Sequence, residues 1–552
     1  MALFVEPTPA RAQTGIPLGD QADPGQIERR IQERERSPPK PQPEILLPDV
    51  APAPAVEPDE ASTIVLRSVM IEGATALGPE ALAASYQAYI DRPVSLADIG
   101  AILDAMTAAY RDAGFILSRA IAPPQDLADG LLRIRIVEGY LDKVSFQGVR
   151  PGRWGLETYA ERLRSERPLT LASLERVILL IEDLPGLTVA SGLRPIDDEA
   201  GLYELILTLE EDRFDGSLYV DNRGTPAVGR LQGYSSLGAN STFSLAERIQ
   251  LGFFTVPNQP QELLYGDLLY VQPLFSDGLT ASFRVSRSRV DAGDALADLD
   301  TNSTSSGYEF KLRYPVIRTR AFNLYLGGTF DFRDLRQEQL GTTVLDDRLR
   351  VLRGNLDLAF SDDLEGANFL SLEVSQGLSV IDASPSGRAT RSRVDGQPDF
   401  TKVTLEAVRQ QDLPSNFGLQ LALSGQGSFD PLLSSEEFAL GGSRYGRAYD
   451  FSEITGERGI VGSLELRYGQ SLPMDWLPGV QLYGFYDWGA VWNDVPGGGQ
   501  ARDSLSSAGA GLRFGLFSIL QSGLEVAVPL TRSVASRESN TPRFFFTLSG
   551  TF

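Results

Sequence analysis

The chain is 552 residues long, with 73 acidic against 50 basic side chains, a net charge of −23, and neither cysteine nor histidine. Disulfides, thiolate zinc sites, Ser-His-Asp triads, histidine bases and His-ligated metals are therefore excluded, and no G-x-x-x-x-G-K-[ST] phosphate loop occurs. An enzyme is not expected, nor a cofactor or metal, and the acidic balance argues against a nucleic-acid partner, which demands a basic face.

No run approaches the roughly 20 apolar residues of a spanning helix. Residues 1–22 read as disordered. Ala10-Arg11-Ala12 before Gln13 is similar to the tail of a signal-peptide cleavage site, and the alternatives are a trimmed leader and an ordinary terminus. Over 23–36 a helix is expected, with Asp23-Pro24 at its start. Its run from Gln26 to Arg36 carries apolar residues only at Ile27 and Ile31, a stripe too thin for an apolar core but suited to a polar cavity. Residues 37–63 are proline-rich and read as an extended, semi-rigid linker.

Two similar cycles follow. In 64–139 strands are expected at Ile64–Gly73, Phe115–Ile121 and Leu131–Val137, with helices at Pro79–Ala88 and Leu96–Ala113. In 140–212 the strands are Asp142–Gln147, Leu187–Ile196 and Tyr203–Glu210, and the helices Glu157–Ser165 and Leu171–Leu184. Two β-α-α-β-β units in succession make an internal repeat of architecture.

From 213 to 552 the helical period is replaced by alternation. Leu464 and Leu466 oppose Ser463, Glu465 and Arg467, and Phe544, Phe546 and Leu548 oppose Arg543, Thr547 and Ser549. Sixteen strands are expected, at about 216–222, 230–238, 247–255, 263–273, 279–289, 307–316, 321–333, 348–361, 367–378, 399–410, 416–427, 458–470, 479–492, 505–516, 519–529 and 542–552. Connections alternate between long (290–306, 334–347, 379–398, 428–457) and short (274–278, 317–320, 362–366, 411–415). One greasy face, one polar face, an even count and long-short connections indicate a transmembrane antiparallel β-barrel of 16 strands. Closure is obligatory, because a lipid-facing sheet cannot leave an edge unpaired. Trp476 and Trp492 flank one strand and suit the two interfaces.

At the level of individual residues the chain resembles the two-partner secretion transporters, the TpsB group. Tyr110-Arg-Asp-Ala-Gly114, Arg119-Ala120, Pro124-Gln125-Asp126-Leu127, Gly130-Leu131 and Val137-Glu138-Gly139 are similar to the family's first POTRA domain. Arg167-Pro168-Leu169, Leu174-Glu175-Arg176 and Asp183-Leu184-Pro185-Gly186 are similar to its second, and Asp221-Asn222-x-Gly224 to its first barrel strand. In the longest loop, Gly441-Gly442-Ser443-Arg444-Tyr445-Gly446-Arg447-Ala448-Tyr449-Asp450 resembles the family's loop with its V-R-G-Y tip. Gly446 stands for the valine and Ala448 for the glycine, and alanine takes up positive φ poorly.

The resemblance implies that this loop hinges at Gly441, Gly442 and Gly446 and folds into the lumen. There Arg447 and Tyr449 would meet an inward D-x-G strand motif, supplied here by Asp487-Trp488-Gly489. Without the resemblance, Arg447 reads as a solvated loop charge and Asp487 as a lumen-polar residue. The resemblance further implies that the 23–36 helix plugs the pore and that the two POTRA domains capture an unfolded chain at a sheet edge. Phe552 on the greasy face resembles an outer-membrane assembly signal. The expected protein is a monomer in the outer membrane of a Gram-negative bacterium, with its POTRA domains in the periplasm and outer-membrane lipid around the barrel. It would secrete a large TpsA-like exoprotein. The rivals are a barrel-assembly factor of the same superfamily, which usually carries more POTRA domains, and a passive porin or receptor.

Overall fold

The computed structural model describes Gly25 and residues 63–552 except 386–388, 495–498 and 518. Of the terminus, helix and linker expected over 1–63, only Gly25, which is helical and buried, and Thr63 are therefore described; the rest of those expectations lies outside the described residues.

The first unit holds β1 (Ile64–Leu66), β2 (Ser68–Glu72), α1 (Pro79–Ala83), β3 (Arg92–Val94), α2 (Leu96–Asp112), β4 (Arg119–Ile121) and β5 (Leu131–Val137). The helix α2 begins at a capping box, Ser95 and Asp98 each accepting from the other's backbone N–H. Its Ile99, Ile102, Met106 and Tyr110 lie on one face and pack on Leu132, Ile134 and Ile136 of the β2-β5-β4 sheet. Three expected elements are corrected. The strand over 64–73 is two strands parted at Arg67, and α1 ends at Ala83 rather than Ala88. The strand over 115–121 is paired only from Arg119. In the two strand cases the edge partner is short, so apolar residues outrun the backbone pairing.

The second unit repeats the plan with β6 (Tyr140–Gln147), α3 (Leu156–Ser165), α4 (Leu171–Glu182), β7 (Leu187–Asp197) and β8 (Leu202–Glu211). Its sheet runs β6-β8-β7, with β6 parallel to β8 and β7 antiparallel to it. Leu174, Val177, Ile178 and Ile181 of α4 fill the space over Leu205, Leu207 and Leu209.

A closed antiparallel barrel follows. Its strands are β9 (Phe214–Asp221), β10 (Gln232–Asn240), β11 (Arg248–Thr255), β12 (Leu264–Pro273), β13 (Thr280–Asp291), β14 (Asn302–Arg318), β15 (Phe322–Gln339), β16 (Thr342–Ser361), β17 (Gly366–Gly377), β18 (Thr401–Leu413) and β19 (Phe417–Ser428). After a loop containing the short β20 (Phe438–Leu440) and β21 (Ile454–Gly456), it continues through β22 (Arg458–Ser471), β23 (Gly479–Asp494), β24 (Gln500–Leu516), β25 (Leu520–Pro529) and β26 (Arg543–Thr551). Leaving out β20 and β21, sixteen strands form the ring, which β26 closes by pairing with β9. The alternation sorts as an outer-membrane wall requires: Leu464, Leu466, Leu482, Tyr486 and Trp488 face outward, whereas Ser463, Glu465 and Asp487 are buried inward.

One connection differs from its expected form. The long loop over 334–347 is a protruding hairpin: β15 and β16 continue to a two-residue turn at Leu340-Gly341, both at positive φ (47° and 72°). This extension packs Leu335 and Leu345 on Phe400, Leu432 and Leu433 and is otherwise rich in charge, so the apolar alternation that marks a strand stops before the strand does.

The second unit docks on the short-turn mouth of the barrel. From α4, Arg176 donates to the carbonyls of Pro315 (2.8 Å) and Asp277 (3.2 Å). Asp183 forms a two-pronged ion pair with Arg318 at 2.8 Å each.

Candidate functional site in the barrel lumen

The loop between β19 and β22 turns inward. Its glycines Gly441, Gly442 and Gly446 have φ of 112°, 113° and 68°, a region side chains avoid. Ala448 is absent from the positive-φ residues and is fully buried. The tip therefore makes its left-handed turn at Gly446, and alanine is accommodated two residues later.

Arg447 is pinned to the wall. Its backbone N–H and Nε both donate to Oδ2 of Asp487 at 3.0 Å, and a terminal nitrogen donates to Oδ1 at 2.9 Å. Its other terminal nitrogen pairs with Glu465, and the nitrogen facing Asp487 Oδ1 also donates to Ser463 Oγ at 3.1 Å. The guanidinium rests 3.5 Å from the centroid of the Phe485 ring. With Arg447 5%, Glu465 2% and Asp487 0% exposed, the cluster is desolvated. Burial opposes the Arg447 charge, but the hydrogen bonds and attraction of Asp487, together with Glu465, outweigh it and raise its pKa. Gly489 gives the loop its close approach: a Cβ there would sit 2.7 Å from Leu440 of β20 and 2.9 Å from the Ile460 carbonyl. Tyr449 donates to the carbonyls of Ser506 (3.1 Å) and Arg532 (3.2 Å).

The sequence reading missed several partners. Glu465 also accepts from Arg467 and Arg513, both at 2.7 Å. The foot of the loop is held apart from the tip, by Glu436 pairing with Arg353 (2.7 Å) and Lys402 (2.7 Å). Burial would raise the Glu436 pKa, but these two cations hold it well below the usual carboxylate range. The one available signal was charge at inward positions of alternating strands, since a buried charge requires a partner. Below the tip, toward the second unit, opens a cavity of about 1110 Å³ lined by Arg447, Arg223, Arg513, Tyr483, Gln481 and Glu525 among others.

The remaining predicted residues lie outside the lumen. Gln125 acts as a surrogate peptide on β5, donating to the Arg133 carbonyl and accepting from its N–H, both at 2.7 Å. Asp126 caps the turn through Ala128 N (2.9 Å). Gly130 and Gly186 have φ of 73°; Gly130 accepts from Arg67 N, and Gly186 from Asp212 N where the second unit joins the barrel. Glu138 gathers the N–H groups of Thr75 and Ala76 (2.7 Å each) and the Tyr110 hydroxyl (2.8 Å). Burial would raise its pKa, but these donors lower it. Gly139 joins the two units, its carbonyl accepting from Leu169 N (3.0 Å). Pro185 is half-buried in the turn after α4, beside Asp183. Phe552 is exposed, and its backbone pairs with Gly216 in both directions. Among the described residues no group of three or more acidic side chains is placed to hold a metal ion.

A lipid-facing wall around a polar lumen, with α/β modules at one mouth, is the build of an outer-membrane barrel transporter with periplasmic domains. Residues 205–514 match the family model for haemolysin secretion/activation protein ShlB/FhaC/HecB, and residues 64–139 match that for the ShlB-type POTRA domain. The chain is 22% identical over 478 residues to the heme/hemopexin transporter protein HuxB of Haemophilus influenzae (strain 86-028NP), an alignment covering 84% of this chain and 82% of that relative. It is 24% identical over 436 residues to the outer membrane transporter CdiB of Dickeya dadantii (strain 3937), covering 78% of this chain and 76% of the relative. The fold is similar to that of CdiB from Escherichia coli, with a TM-score of 0.76 at 20% identity over 98% of this chain and 100% of that one. The chain belongs to the haemolysin secretion/activation family. It is an outer-membrane transporter of two-partner secretion, with its POTRA domains in the periplasm.

Proposed function

We propose that the chain captures an unfolded, large secreted exoprotein on its two POTRA domains, 64–139 and 140–212, and passes it through the barrel 213–552. The inward loop is the gate, and Arg447, held by Asp487 and Glu465, is its latch. The observation that carries this reading is the burial of Arg447 on an inward wall whose three acceptor groups face it. A solvated loop charge would not be held this way. A buried arginine with two carboxylates is weak evidence for stability, since desolvation offsets much of the attraction. It suits a contact that must be specific and still open. Among the described residues the sheet edges are β2 and β4 in one domain and β6 and β7 in the other, and such edges supply backbone pairing without strict sequence demand. Drive is assigned to folding of the cargo outside, the chain acts as a monomer, and no bond-making chemistry is assigned to it.

The test is co-expression with a candidate exoprotein cargo. Arg447→Ala and Asp487→Asn should each lower secreted cargo about tenfold or more while barrel amounts in the outer membrane stay equal. This expectation follows from about 3–5 kcal/mol lost when one partner of a buried pair is removed. Secretion at the native level in both variants would overturn the latch.

A further inference from the structure

The seam where the barrel closes is shorter than its neighbours. Strands β9 and β26 pair over Ser217–Asp221 with Thr547–Thr551, and Gly216 with Phe552 adds one further backbone pair. On the flanks, β9–β10 and β25–β26 each run from one strand end almost to the other. The ladder stops at Asp221 although β26 continues back to Arg543. Two features of the segment after β9 bridge the shortfall. The Asn222 side chain stands in for a peptide unit, donating to the Phe544 carbonyl (3.0 Å) and accepting from Phe546 N (2.9 Å). Next to it, Arg223 turns inward and donates to the carbonyl of Arg447 at 3.1 Å and to Glu525 at 2.6 Å.

From the other seam strand, Arg543 donates to the carbonyl of Ala448 at 2.9 Å and to Oδ1 of Asp450 at 2.7 Å. Both guanidinium groups lie over the ring of Phe545, at 4.0 Å and 4.9 Å from its centroid. Both are buried, at 7% and 3% exposure. Two arginines, one from each strand of the weakest joint, thus bind consecutive carbonyls of the loop tip.

We infer that the tip is the inner clasp of the barrel seam, and that Arg223 and Arg543 are the positioning residues that couple gate to wall. While the tip is seated, the loop backbone links β9 to β26 where their own ladder has ended. When the tip leaves, Arg543 loses both acceptors and Arg223 keeps only Glu525. A desolvated guanidinium without acceptors cannot stay in place, so Arg543 rearranges, Arg223 is left on Glu525 alone, and the upper seam loosens. Opening the gate and widening the wall become one event. Coupling of this kind is reciprocal: whatever holds the seam shut also holds the tip in.

The inference rests on the loop acting as a gate, and its test reads each part separately by amide hydrogen exchange on the full chain in lipid nanodiscs. In Arg223→Met/Arg543→Met, exchange over 214–221 and 543–551 should rise about tenfold, with β12 and β13 unchanged. Arg223→Lys/Arg543→Lys should recover part of that protection. Unchanged seam exchange together with faster exchange over 441–450 overturns the clasp and leaves the gate standing. Slow exchange over 441–450 in Arg447→Ala removes the gate itself. A second measurement leaves Arg223, Arg447 and Arg543 in place. The chain contains no cysteine, so Tyr219→Cys and Ser549→Cys, facing partners across the seam, form the only disulfide. Closing it should slow exchange over 441–450 by about tenfold relative to the reduced form. Equal exchange in the two forms overturns the coupling.

Discussion

At the scale of single residues, the loop combines a contact whose cation is permanent with one that titrates. Arg447 stays charged at every accessible pH, so its pairing with Asp487 is insensitive to acidity around neutrality. Glu453, a few residues on, differs. Burial, the largest influence, and the nearby Asp450 charge push its carboxyl up to about 7, although the N–H groups of Ala535 (2.7 Å) and Asp450 hydrogen-bond it and Arg532 attracts it. In the unseated loop its pKa returns to about 4.3. The seated form therefore binds more protons between those values, and seating weakens as pH rises through 7. A spin label at Ser443→Cys should be most immobile near pH 5 and gain mobility toward pH 8. In Glu453→Gln that gain should vanish, because the neutral amide fixes the seated form; an unaltered pH profile in the variant would assign the dependence elsewhere.

At the scale of elements, legibility followed the solvent on each face. Strands with lipid outside and polar lumen inside alternate in sequence, and β11, β12, β17, β19 and β22 lie within a residue or two of their expected bounds. The 334–347 hairpin buries Leu335 and Leu345 against Phe400, Leu432 and Leu433 of neighbouring loops, and the charges around them, Asp334, Arg336 and Glu338 beside Asp346 and Asp347, read as loop. Arg447 and Asp487 were legible through resemblance, whereas Glu465, Arg223, Arg543 and Glu436 were not. Inward polar residues look alike in sequence until closure brings distant strands face to face. Side chains that replace backbone were also hidden: Gln125 continues the pairing of β5 where Pro123 and Pro124 end β4. Gln125→Ala removes two hydrogen bonds from Arg133, each worth about 1 kcal/mol. Amide exchange over 131–137 should accelerate about fivefold to thirtyfold, with the 140–212 domain unaffected. Native protection there would show that Gln125 is dispensable to the edge.

At the scale of the whole molecule, the proposed function makes the placing of the second POTRA domain decide where a captured chain is presented. Its α4 is fastened to two barrel turns by Arg176 and by the Asp183–Arg318 pair, and Leu180 lies so close to Gly278 that a Cβ there would sit 2.5 Å from it. This holds the β6-β8-β7 sheet against the short-turn mouth, beneath the cavity that leads to the loop tip. Arg318 is buried but Asp183 is 40% exposed, so solvent screens the pair and its contribution is modest. Reversing a charge is the stronger perturbation: Asp183→Arg sets three cations together at one contact. Spin labels at Glu161→Cys on α3 and Leu364→Cys on a nearby barrel turn, both exposed, report the docking as a distance distribution. The native chain should give one narrow population, Asp183→Arg a broad one, and Asp183→Arg/Arg318→Asp a narrow one again, with the spread decreasing as salt rises in the single variant. A narrow distribution in Asp183→Arg would instead assign the docking to Arg176 and the Leu180–Gly278 contact, and the domain would then behave as a fixed extension of the barrel rather than one steered by charge.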